Sequence, residues 1–403
     1  MALLSQAIGR IAPSPTVAVT TRANELKAEG RDVIGLGAGE PDFPVPEHAQ
    51  EAAHQAIRDG KSKYTAPDGT PELKDAVRAK FERDNGLIYA RDEITVNVGG
   101  KHTIFNAMLA TLDPGDEVVI PAPYWVSYPD IVSFAGGTPV IVKAGADQGF
   151  KMTPQQLEEA ITPKTKWLVF NSPSNPTGAA YMKAEIEALI DVLRRHPHVW
   201  ILADDIYEHI VYEDFEFFTV AQLAPDLKDR TLTMNGASKA YSMTGWRIGY
   251  AGGPKELIGA IRKLQSQSTT TPCAIAQEAA RAALEGPQDF LKERAQRFQD
   301  RRDLVLSMLG QVDGLSLVKP QGAFYVYSDC SGLIGKRTPD GKTLENDEDV
   351  AAYLLEAEGC AVVHGAAFGL SPAFRISYAV SKDVLEEACR RIQRACGALV
   401  SSG

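Results

Sequence analysis

The sequence predicts an α/β protein: a mostly parallel central sheet flanked by helices in a large domain, followed by a smaller α+β region. Three observations carry that expectation. The chain has 403 residues, more than one hydrophobic core usually serves, so two domains are the default. Through its middle, short β-rich runs alternate with helical patterns, the signature of strand–helix–strand units. From about Gly286 the alternation stops, and one long charged segment precedes a mixed set of strands and helices.

Taken in order, "EITVNVGG" (93–100) reads as a strand ending in glycines, and "KHTIFNAMLATL" (101–112) has helical spacing. "DEVVIPAP" is a strand, "WVSYPDIVSFAG" a helix broken at Pro129, and "TPVIVKA" another strand. Thr153 and Pro154 form an N-cap and a first-turn proline, opening a helix through Ile161. "TKWLVFN" and "VWILADD" are near-continuous apolar runs, as parallel strands covered on both faces require, with a helix at 184–196 between them. "RTLTMNG" and "RIGYAGG" close the series. "DFLKERAQRFQDRRDLVLSML" reads as one helix able to bridge two domains. "GAFYVYSD", "CAVVHG" and "FRISYAV" are strands, with helices at 347–358 and 382–396. The Gly-, Pro- and charge-rich stretch 335–349 reads as an exposed loop.

Composition narrows the function. Lys plus Arg number 42 against 52 Asp plus Glu, a formal charge of −10, which argues against nucleic acid as a partner. A small anionic ligand needs only a few local cations and stays open. The five cysteines form no CxxC pair, so neither a disulfide framework nor a zinc site is expected, and no metal site is assigned. No run approaches a membrane span, and the N-terminus lacks the pattern of a signal peptide. The expectation is a soluble cytoplasmic protein.

Ligands of open α/β sheets bind beyond the carboxyl ends of the strands, and the unusual residues cluster there. Lys239, in "NGASKAYSMTGWRIGY" (235–250), sits among small and apolar residues, with Arg247 eight positions on. An isolated lysine is most often a solvated loop residue; the sharper reading is a Schiff-base lysine, which must lose its proton to attack a carbonyl. "NSPSNPTG" (171–178) places Asn175 after a buried strand. "ADDIYEH" (203–209) ends the next strand with Asp204, Asp205 and Tyr207. Either aspartate could cap a helix, or one could pair with a protonated ring nitrogen. The glycines of "VGGKHT" (98–103) open a helix whose free N–H groups suit a phosphate. A lysine, an aspartate, a phosphate cradle and an arginine together describe a pyridoxal 5'-phosphate site.

At that point the chain resembles the class I aminotransferases of the pyridoxal-phosphate fold-type I group, and within them the bacterial aspartate and aspartate/prephenate subgroup. Nine blocks carry the likeness in order: "GAGEPDF" (37–43), "KYTAPDGTPELK" (63–74), "VGGKHTIFNA" (98–107), "PYWVSYPD" (123–130), "NSPSNPTG", "DDIYEH", "SKAYSMTGWRIGY", "GAFYVY" (322–327) and "FRISYA" (374–379). The resemblance implies an N-terminal segment, 1–46, belonging to the small domain. A large cofactor-binding domain would follow over 47–290 and a small C-terminal domain over 291–403. Lys239 would hold the cofactor aldehyde and then move the substrate proton. Asp204 would keep the pyridine nitrogen protonated. Tyr207 and Asn175 would hydrogen-bond the phenolic oxygen, and Trp125 would stack on the ring. Gly100, Lys101, Ser238 and Arg247 would surround the phosphate, with Tyr64 reaching it from the other subunit of a homodimer.

Arg375 would clamp the substrate α-carboxylate through a guanidinium fork. Gly39 would let the N-terminal backbone close over it. Lys101 and Thr16 would meet a distal carboxylate. The implied reaction moves the amino group of L-aspartate to 2-oxoglutarate, with prephenate or aromatic keto acids as alternatives. β-Lysis on the same scaffold is less favoured, because Lys101 and Arg375 together suit two carboxylates. Three positions near the substrate entrance differ from the family's usual pattern: Ala12 in place of a basic residue, "PVP" at 44–46, and His102.

Overall fold

The computed structural model describes residues 3–401. Seven strands form the central sheet: β1 (Ile94–Val98), β2 (Glu117–Ala122), β3 (Thr138–Lys143), β4 (Thr165–Asn171), β5 (Trp200–Asp204), β6 (Thr231–Gly236) and β7 (Ile248–Gly252). Their spatial order is β1-β7-β6-β5-β4-β2-β3. Every neighbouring pair is parallel except those made by β7, which runs antiparallel to both β1 and β6. The α/β expectation holds, with this one reversal. It matters, because reversing β7 brings its first residues to the edge where the other strands end.

The apolar runs of β4 and β5 are explained by burial on both faces. Trp167, Val169 and Leu202 pack into a core on one side of the sheet, and Leu168, Phe170 and Ile201 into another on the opposite side. Complete burial of each such side chain contributes ~1.5–3 kcal/mol. Thr153 caps the helix Pro154–Ala160 by accepting from Gln156 N–H at 3.2 Å, while the Gln156 side chain accepts from Thr153 N–H.

Two expectations are corrected. Pro129 does not break its helix, which runs Ser127–Ala135. Proline stands in the first turn, where its missing N–H would have had no partner. The stretch 335–349 is not wholly exposed. Thr338 and Leu344 are buried, and Asn346 caps a helix, Asp347–Glu358, through Asp349 N–H at 3.0 Å. Buried Asp347 accepts from Ala366 and Ala373 N–H. Helices Pro15–Ala28, Glu47–Arg58, Pro71–Asn85, Lys255–Gln267 and Ala274–Glu285 lie outside the elements predicted.

Helix Asp289–Leu309 is continuous. Beyond it, β8 (Tyr325–Asp329) and β9 (Ala373–Ser377) pair antiparallel at the centre of a four-stranded sheet. The N-terminal segment joins this region. Ile34–Gly35 pairs with Cys360–Ala361, Leu36 O accepts from Ser377 N–H at 2.8 Å, and Leu36 shares a core with Phe324 and Tyr378. Residues far apart in sequence thereby meet over the carboxyl edge of the seven-stranded sheet. No helix of the described residues is long and apolar enough to cross a membrane, and all five cysteines are free thiols.

Candidate active site

A cavity of about 250 Å³ opens at that edge, lined among others by Gly100, Lys101, Trp125, Asn175, Asp204, Tyr207, Ser238, Lys239 and Arg247. Register explains the convergence. Asn171 lies beside Asp204, Asp204 beside Met234, and Gly236 beside Gly249. A second cavity of about 310 Å³, lined by Thr16, Gly39, Tyr325 and Arg375, shares Trp125, Asn175 and Lys239 with the first.

Lys239 follows the turn after β6. Its Nζ donates to Gly39 O at 2.6 Å, and among the described residues no carboxylate pairs with it. Burial, with the positive field of Arg375 and Arg247, lowers its amine from 10.5 to about 8. A lysine so placed is neutral in appreciable fraction near neutral pH, as a nucleophilic amine must be.

The two aspartates after β5 separate by orientation. Asp204 faces the cavity, where Tyr128 Oη donates to Oδ2 at 2.5 Å and Ile206 N–H approaches Oδ1 at 3.4 Å. Burial raises its carboxyl to about 6, opposed by Tyr128, Ile206 and Lys239. Asp205 is buried away from the cavity lining, and burial, opposed by Thr219, pushes its carboxyl well up. Successive residues of an extended chain point to opposite sides, so only Asp204 can meet a ligand in this cavity.

The cradle at the start of helix Gly100–Thr111 depends on missing side chains. Gly99 has φ +85°, and a Cβ there would overlap the Arg247 guanidinium. A Cβ on Gly249 would overlap Gly100 N. Backbone, Arg247 and helix start therefore pack into one concave corner. The Ser238 hydroxyl has no protein partner among the described residues, and Arg247 donates only to Thr244 O at 2.8 Å. Lys101 Nζ lies 4.9 Å from the centre of the Trp125 ring. Burial, then Arg247, lowers its amine.

Arg375 is 2% exposed. It donates to Asn175 Oδ1 at 2.7 Å and Gly37 O at 2.5 Å, its Nε is unpaired, and the rings of Tyr325 and Phe368 lie within 5 Å. Among the described residues no carboxylate meets it. A buried guanidinium with an unpaired donor in a cavity wall calls for an external anion. Tyr207 Oη lies 2.8 Å from Tyr325 Oη, and a Cβ on Gly39 would stand 2.5 Å from that second hydroxyl.

Not every expected residue converges. Thr16 lines the second cavity and Lys101 the first, so this pair does not share one wall. Tyr64 is 87% exposed and lines a separate surface hollow with Lys61 and Cys273. Of the three atypical positions, His102 lines a third, largely apolar cavity, Ala12 N–H meets the Asp130 carboxylate, and Pro44 O accepts from Arg294. Sequence reasoning missed Tyr128, Asn171 and Tyr325. All three stood in recognised blocks, and Asn171 ends its strand beside Asp204. Asp84, Glu208 and His209 also lie close enough to hold a cation, but buried Lys80 already pairs with Glu208 and lies 3.8 Å from Asp84.

These residues fit pyridoxal phosphate. Asp204 offers a buried acceptor, and Lys239 a depressed amine. The corner beside Gly100 offers free N–H groups, a hydroxyl and a guanidinium without an acidic partner. Comparison with known proteins agrees. Residues 31–392 match the aminotransferase class I and II family. The aspartate/prephenate aminotransferase of Cereibacter sphaeroides (strain ATCC 17029 / ATH 2.4.9) is 62% identical over 399 residues, covering 99% of this chain and 100% of that protein. The aspartate aminotransferase of Rhizobium meliloti (strain 1021) is 59% identical over 392 residues, covering 97% and 96%. The crystal structure of the Rhizobium meliloti aspartate aminotransferase superposes with a TM-score of 0.96 at 57% identity, covering 99% and 100%. That of Thermus thermophilus aspartate aminotransferase with maleate gives 0.91 at 46%, covering 98% and 100%. With fold, cavity chemistry and sequence in agreement over nearly the whole length, the chain belongs to the class I and II aminotransferases.

Proposed function

We propose that this pyridoxal-phosphate-dependent aminotransferase moves the amino group of L-aspartate to 2-oxoglutarate, giving oxaloacetate and L-glutamate in two half-reactions. The observation that carries this reading is Arg375, a buried guanidinium with an unpaired donor in a cavity shared with Lys239. When bound, the cofactor supplies an electron sink for the α-carbon of the amino acid. The protein's residues do the rest. Arg375 and the Asn175 amide orient the α-carboxylate and so fix the α-hydrogen toward Lys239. The Lys239 amine, neutral in part near pH 8, would accept that proton and deliver it two atoms along, across the nitrogen. Asp204, with one oxygen held by Tyr128, would keep a proton on the ring nitrogen. Tyr207 would donate to the phenolic oxygen, and Trp125 would cover the ring. The Gly100 and Lys101 N–H groups, the Ser238 hydroxyl and the Arg247 guanidinium would hold the phosphate.

Lys101 supplies the distal contact that selects a dicarboxylate, and Thr16 lines the neighbouring cavity, with Trp125 common to both. The Thermus relative solved with the dicarboxylate maleate supports this choice. Prephenate is a second reading, favoured by the names of relatives at 53–62% identity. We also propose a cytoplasmic homodimer in which exposed Tyr64 reaches the partner's phosphate site, with the three-part domain division at residues 46 and 290. The test is the visible spectrum of the purified yellow protein as L-aspartate is added without a keto acid. The reading expects bleaching to the pyridoxamine form, reversed by 2-oxoglutarate. Bleaching only by another amino acid would move the specificity, and none with any amino acid would overturn transamination.

A further inference from the structure

We infer that Tyr325 is a positioning residue for the reaction: it donates its hydroxyl proton to Tyr207 Oη and thereby frees the single Tyr207 proton for the cofactor's phenolic oxygen. The inference rests on the proposed reading that Tyr207 faces that oxygen. The two hydroxyls are 2.8 Å apart, and either could be the donor. Both residues are buried, at 2% and 0% exposure. Each hydroxyl has one proton and two lone pairs, so the pair has two possible arrangements, and the surroundings choose between them.

On the far side of Tyr325 Oη stands the Cα of Gly39, where a Cβ would come within 2.5 Å. That neighbour is hydrocarbon and accepts nothing. Among the described residues, Tyr207 is the one hydrogen-bond partner of Tyr325 Oη. If Tyr207 donated to Tyr325, the Tyr325 proton, on a fully buried side chain beside the second cavity, would have no protein acceptor among the described residues, an unfavourable state. Donation from Tyr325 satisfies it and leaves the Tyr207 proton directed into the cavity that Tyr207 lines. The Arg375 guanidinium, 4.6 Å from the centre of the Tyr325 ring, holds that ring in place. Accepting a hydrogen bond also makes Tyr207 a stronger donor, because the hydrogen bonds of a chain polarise one another.

The test is a double-mutant cycle with Tyr325→Phe and Tyr207→Phe, read as the pH midpoint of the visible-band transition of the pyridoxal-phosphate-loaded protein. Tyr325→Phe keeps the ring over Arg375 and removes only the hydroxyl. Its midpoint is expected to rise by about 0.3–1 pKa unit, the share of a neutral hydrogen bond passed on to the phenolic oxygen. In the Tyr207→Phe background the same change is expected to do nothing, whereas a merely structural role would act equally in both. An equal shift in the two backgrounds, or none in the Tyr325→Phe protein while Tyr207→Phe raises the midpoint, overturns the inference alone. No shift from Tyr207→Phe removes the site reading beneath it and overturns both.

Discussion

Replacing Arg375 by lysine isolates the fork from the charge. The guanidinium carries five N–H donors. One goes to Asn175 Oδ1 and one to Gly37 O, which leaves Nε–H and two others to receive a carboxylate. A lysine ammonium has three donors, so meeting the same two protein acceptors leaves one. The substitution therefore removes one of two charge-assisted bonds to the substrate, worth ~1.5–3 kcal/mol. That corresponds to a loss of about 10- to 150-fold in kcat/KM. Arg375→Leu removes both bonds and leaves two acceptors short, so it should fall further and also lose stability. The assay is kcat/KM for L-aspartate and for L-phenylalanine, measured for both variants. Because the α-carboxylate is common to all amino acids, each variant should lower both values by similar factors. Retention of full kcat/KM by Arg375→Leu, or a selective effect on aspartate, would refute the assignment of the α-carboxylate to this guanidinium.

Lys101→Ala should lower kcat/KM for L-aspartate much more than for L-phenylalanine; equal loss for both would contradict its role at the distal carboxylate. Lys239 titrates near 8 instead of 10.5, so capture of pyridoxal phosphate by cofactor-free protein should accelerate with pH through a midpoint near 8. The sign for stability follows from the same lowering: between these values the unfolded chain holds a proton that the folded one has lost, so stability gains from rising pH across that window. A capture midpoint near 10.5 would remove the activated amine. Glu208→Gln should destabilise the protein by up to ~3–5 kcal/mol in urea unfolding, since it leaves buried Lys80 with only the more distant Asp84 carboxylate, 3.8 Å away, as counter-charge. Burial would raise the Glu208 carboxyl, but Lys80 and His209 overcome it and hold it below 4.5. The stabilisation is therefore present above that pH and lost on acidification, and a gap between wild type and variant that widened in acid would refute the pairing.

What the sequence determined by itself is local and periodic. Apolar runs such as "TKWLVFN" identify strands because a doubly covered strand has no solvent face to mark with polar residues. Thr153 and Pro154 announce a helix start because capping is settled within four residues. Lys239, Asp204, Asn175 and Arg247 stood out because polar residues at the ends of apolar runs are rare, and the motif order completed the family. Tertiary structure decided the rest. Which of Asp204 and Asp205 faces the cavity depends on strand phase, which a one-residue slip would invert. The reversal of β7, which brings Arg247 beside Gly99, depends on a pairing between strands about 150 residues apart in sequence. The junction of Gly39, Tyr325 and Arg375 is the clearest case. Gly39 stands about three hundred positions before Tyr325 and Arg375 and meets them only because Ile34–Gly35 pairs with Cys360–Ala361, and no local pattern encodes a contact of that range.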